Sequence, residues 1–160
     1  MSSSCCGKES LAMQKLLPPR LFLLTIGLML ASRWLWPIAL LVPMPFNWLG
    51  LVIGIAGLAV AISSARHFRQ MGTNIMTFGQ PDRLVISGWF RWSRNPMYLG
   101  FGLSLLGIAL LLGAAISNLV LVIAFVIIVD RWYIAFEERA MLAKFGEQYS
   151  AYQAQTRRWI

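Results

Sequence analysis

SRNPMYLGFGLSLLGIALLLG, residues 93–113, is the stretch on which the fold turns. A polar cluster, Ser93-Arg94-Asn95, stands directly before a run with no further charge as far as Gly113. Asparagine is among the best helix-capping residues and proline is favoured at the first helical position, so Asn95-Pro96 predicts a helix start. The run behind it is apolar on every face, which fits a deeply buried helix or a membrane span. Composition decides between the two. Of 160 residues, 58% are hydrophobic and 12% charged, and the mean hydropathy is +0.66, whereas soluble domains average about 45–50% apolar and about 25% charged.

Working outward, a span needs roughly 20 mostly apolar residues, and four stretches qualify: about 18–42, 46–69, 96–113 and 116–136. Pro18-Pro19 opens the first, and no small-residue cleavage site behind it marks a signal peptide. The fourth is short as an uncharged run, but no breaker follows Asp130-Arg131, so its helix is expected to leave the membrane and continue into water. The expected fold is an all-α integral membrane protein, one domain over 1–160. It has a flexible segment 1–17, four transmembrane helices, a loop 70–95 and a C-terminal amphipathic helix and tail 137–160. Too apolar for disorder, with Met76, Phe78, Trp89, Phe90 and Trp92, the loop is expected to fold over the bundle together with the tail.

Lysine and arginine set the orientation. Lys8, Lys15 and Arg20 precede or open the first span, Arg66, Arg69, Arg83, Arg91 and Arg94 lie between the second and third, and Arg131, Arg139, Lys144, Arg157 and Arg158 follow the fourth. Pro43-Met44-Pro45 and Ala114-Ala115 carry none. Both termini and the central loop are therefore expected in the cytoplasm, with tight hairpins opposite. The net charge of +8 follows from this bias and from attraction to anionic headgroups; no nucleic-acid module accompanies it. Cys5 and Cys6, adjacent and on the reducing side, exclude a disulfide framework. Trp34, Trp36 and Trp48 suit the far interface, where Arg33 can snorkel. Gly50, Gly54 and Gly57 form a small-residue face for a neighbouring helix or, in a homodimer, a second copy.

Two places can carry chemistry. The helix start at Asn95-Pro96 leaves backbone N–H groups unpaired at a positive dipole end beside Arg94, with Tyr98 one turn on, which suits an anion. It is equally a plain cap. Glu137-Glu138 stands where the fourth helix emerges on the same side, either as a solvated face or as the receiver of an ammonium group or ribose hydroxyls. Together the two suit a zwitterion. His67 is an interfacial residue or a proton acceptor, no Ser-His-Asp set exists, and no metal-ligand pattern is present.

VISGWFRWSRNPMYLG followed by EERAMLAKFGEQYSAY resembles the membrane methyltransferases of the isoprenylcysteine carboxyl methyltransferase and phospholipid N-methyltransferase group, above all small bacterial members. The resemblance covers about Asp82 to Trp159 and implies a bacterial inner-membrane enzyme. It implies S-adenosylmethionine as methyl donor and a lipidic or hydrophobic small-molecule acceptor reached from the surrounding membrane lipids. It further implies a cytoplasmic cofactor pocket: Leu84, Val85 and Phe90 as lining, Arg94, Asn95, Pro96, Met97 and Tyr98 at the helix start, and Glu137 with Glu138. Where the prenylcysteine branch places an arginine tied to substrate, one turn before the first glutamate, this chain has Tyr133, with Arg131 nearby. These two are the substrate-binding candidates, and Tyr98 and His67 are the candidates for acid–base work. Prenylcysteine enzymes carry histidine where this chain has Asn95, whereas Asn-Pro-Met-Tyr looks like the phospholipid branch. The competing class is a non-catalytic membrane structural or sensor protein, in which the cap and the glutamates are architectural.

Overall fold

The computed structural model describes residues 17–35, 39–71 and 84–160. The expectations for segment 1–17 apart from Leu17, for Cys5, Cys6 and Trp36, and for loop positions 72–83 lie outside the described residues. Helices α1 (Pro18–Leu35), α2 (Leu49–Gln70), α3 (Pro96–Leu111) and α4 (Ile116–Ile128) form the bundle. A wide π-type turn, Val129–Ile134, carries α4 without interruption into α5 (Ala135–Phe145), and α6 (Glu147–Gln155) follows. Single 3-10 turns at Phe46–Trp48 and Gly88–Arg91 precede α2 and α3. There is no strand among the described residues.

The core lies between α1, α3 and α4. Phe22 stacks on Phe101 at 4.8 Å between ring centres and meets Phe125 edge-on at 6.4 Å, and Met29, Leu105, Val129 and Ile134 are fully buried around them. Outward faces are apolar as well: Leu23 and Leu30 of α1, Leu51 and Ile55 of α2, and Val120, Ile123 and Ile127 of α4 are exposed. That is the reverse of a soluble bundle, in which charged residues cover the outer face.

Helix α2 joins through glycine. It packs on α3 more extensively than any other pair of elements meets. A Cβ built on Gly57 would stand 2.6 Å from the Ser104 nitrogen, and one on Gly100 2.6 Å from the Ala61 nitrogen. The backbones touch directly, and Ser104 Oγ donates to the Gly100 and Gly54 carbonyls. The small-residue face thus packs within the chain.

Helix lengths depart from the expectation. Phe46–Gln70 and Ile116–Phe145 are long and apolar enough to cross a membrane. The first span, read to about 42, is described as the helix Pro18–Leu35, and residues 39–45 are not helical. Helix α3 stops at Leu111 rather than 113, because Gly113 takes φ 86°, and its 16 residues rise about 24 Å. Opposite the charged end, the amides of Leu41 and Val42 donate to the Gly113 carbonyl and Asn47 Nδ2 to the Leu111 carbonyl, tying the connections together.

Candidate functional site

The site gathers where α3 begins, α5 emerges from the π turn and the C-terminal tail returns. Asn95 occupies the cap position before Pro96, yet its side chain makes no cap hydrogen bond. That expectation needs correcting: Nδ2 donates to the Arg158 carbonyl at 3.2 Å, and the Asn95 amide donates to Ser93 Oγ. The reason is the tail itself. Arg94 N–H donates to the Arg157 carbonyl at 3.0 Å and Ser93 Oγ reaches the Arg158 carbonyl, so residues 157–158 lie along the segment that leads into α3.

The paired glutamates separate. Tyr98 is buried, and its hydroxyl donates to Glu137 Oε1 at 2.7 Å, joining α3 to α5. Glu138, only 11% exposed, accepts from Arg94 at 3.3 Å and from Arg158. Arg158 also reaches Asp130 at 3.4 Å, and Trp159 Nε1 donates to Asp130 Oδ1 at 2.8 Å. In an unbroken α-helix Asp130 and Glu138 would point about 80° apart. The π turn takes up about one extra residue and brings both carboxylates within reach of one guanidinium. Hydrogen bonding to Glu138, ahead of any other cause, holds the Arg158 pKa above its ordinary value.

Helix α6 closes over this network, with Tyr149 and Tyr152 buried. Tyr152 Oη donates to the Phe90 carbonyl at 2.6 Å. Burial, and after it the Glu138 charge, pushes the Tyr149 pKa up to about 12, and burial raises that of Tyr152 as well. Helix α5, expected to lie down by an apolar face, has no fully buried residue, and Leu142 is exposed. The turn at Gly146, with φ 50°, hands that packing to α6 instead.

The other predicted positions scatter. Val85 and Phe90 are buried against Phe68 of α2, Leu84 is partly buried, Pro96 is buried and Met97 partly so. Tyr133 belongs to the same core as Tyr98, whereas the Arg131 side chain is 80% exposed and meets only its neighbour Asp130, at 4.0 Å, among the described ion pairs. His67 is bonded to Ser87 Oγ at 2.9 Å, in a groove at the end of α2. Sequence reading passed over Asp130, Arg158 and Trp159. A lone carboxylate in an apolar helix was the available signal, since such a charge demands a partner.

Residues 45–148 match the phospholipid methyltransferase family, a stretch that takes in α2 to α5 with Tyr98, Glu137 and Glu138. The chain is thereby one of the membrane methyltransferases. It belongs to the phospholipid methyltransferase family. It is also 38% identical over 64 residues to an uncharacterised protein of Haemophilus influenzae, an overlap of 40% of this chain and the whole of that protein. The resemblance seen in the two motifs is borne out at family level. Neither α1 nor the tail that carries Arg158 falls within the family match.

Proposed function

We propose that this protein is an S-adenosylmethionine-dependent methyltransferase that spans the membrane four times, with both termini in the cytoplasm, and methylates a lipidic acceptor. The observation that carries the proposal is the Tyr98–Glu137 hydrogen bond, which places a carboxylate at the start of α3 inside the family-matched segment. The residues suit the donor. Arg94 Nε is a buried N–H without a partner, fitted to a carboxylate, while Glu137 suits an ammonium group or ribose hydroxyls. The chemistry such a donor supplies when bound is a methyl group already activated on a sulfonium.

The chain's own task is then position and environment. Tyr98 orients Glu137; Arg94, held by Glu138, presents its unpartnered Nε–H to an anion; Tyr149 and Tyr152 with the tail exclude water. Such alignment can supply on the order of 7–11 kcal/mol of the barrier. The apolar outer faces let an acceptor approach sideways from lipid. The family match, and Asn95 in place of histidine, favour a phospholipid amine over a prenylcysteine carboxylate.

The test is transfer of labelled methyl from S-adenosylmethionine to a bacterial lipid extract by the reconstituted protein. A labelled phospholipid is expected, with Tyr98→Phe lowering the rate roughly tenfold, as for loss of one hydrogen bond to a charged group. Label in no lipid from protein that binds the donor would refute the lipidic acceptor.

A further inference from the structure

A groove of about 530 Å³ lies at the basic end of α2, lined by Ser63, Arg66, His67, Gln70, Trp89 and Trp92 among others. We propose that it binds the phosphodiester headgroup of an anionic phospholipid. Among the described residues no carboxylate lines it and no ion pair involves Arg66. The His67 ring is fixed by Ser87 Oγ at 2.9 Å and by Gly88 at φ 63°, where an added Cβ would stand 3.2 Å from Nε2. The Arg66 guanidinium and the Gln70 amide thus line one groove beside the His67 ring, with no acid among the described lining residues to satisfy them, a donor set suited to a phosphate.

The surroundings select a lipid over a soluble phosphate. Leu51, Ile55, Leu58 and Ile62 are all exposed and recur at helical spacing, so they form one stripe along α2, and Arg66 continues it one turn further. An acyl chain laid on that stripe brings its phosphate to Arg66. Trp89 and Trp92, 45% and 78% exposed, are the aromatic residues that favour the headgroup level. The turn Gly88–Arg91 separates the groove from the Tyr98–Glu137 site: Trp89 lines the groove, while the Phe90 carbonyl is held by Tyr152 of α6. The proposal rests on the chain being a membrane protein and is independent of the transferase reading.

Native mass spectrometry of detergent-purified protein tests it, comparing retained phosphatidylglycerol with phosphatidylcholine in wild type, Arg66→Gln, Arg66→Glu and Arg139→Gln, with circular dichroism as the folding check. Wild type and Arg139→Gln are expected to retain phosphatidylglycerol preferentially, and the Arg66 variants roughly tenfold more weakly. Equal retention of the two lipids by wild type, or undiminished retention by both folded Arg66 variants, would overturn the proposal. So would displacement by millimolar inorganic phosphate, which assigns the groove to a soluble anion. S-adenosylhomocysteine binding by the same preparations reports separately on the donor site.

Discussion

Glu137 and Glu138 are neighbours in the chain with different work. Glu138 is held between Arg94 and Arg158 with little water access, and removing one partner of a buried ion pair leaves the other charge uncompensated. Glu138→Gln is therefore expected to lower stability by on the order of 3–5 kcal/mol. Glu137→Gln keeps a group able to accept the Tyr98 hydroxyl and is expected to change stability by less than about 1 kcal/mol. Denaturation followed by circular dichroism in detergent distinguishes them, and equal losses would contradict the division of roles. At Asn95 the local signal placed the cap correctly and misjudged the side chain, because the competing acceptor, the Arg158 carbonyl, lies 63 residues away in sequence.

The α2–α3 pair makes a sharper claim, since its glycines are not equivalent. A methyl group at Gly57 would meet the Ser104 nitrogen and Gly100 oxygen at 2.6 and 2.7 Å, whereas at Gly54 the nearest atom is 3.7 Å away. Gly57→Ala forces two backbones apart and is expected to cost about 1–3 kcal/mol. Gly54→Ala is expected to be neutral or to stabilise by up to about 1 kcal/mol through helix propensity. Thermal melts of the two variants in detergent check this; similar melting temperatures would mean that the helices are not packed as described. The glycine spacing of α2 was legible in sequence, because glycine acts locally there. The π turn was not, since VDRWYI carries no breaker and the cation that meets its Asp130 returns from the distant tail.

On the scale of the whole molecule, apolar residues face both inward and outward, and the carboxylates Asp130 and Glu138 of the charged end are held by its arginines. Composition alone made the first point readable. The second needed the tail: Arg157-Arg158-Trp159 read as a basic end, yet its backbone lines the approach to α3 and its side chains hold Asp130 and Glu138. The donor site is the claim on which this account stands, and calorimetric titration of the protein in lipid nanodiscs with S-adenosylhomocysteine tests it most directly. Wild type and Arg139→Gln are expected to bind, and Glu137→Gln to bind at least about tenfold more weakly. Absence of binding by folded wild type, or equal affinity in Glu137→Gln, would contradict it.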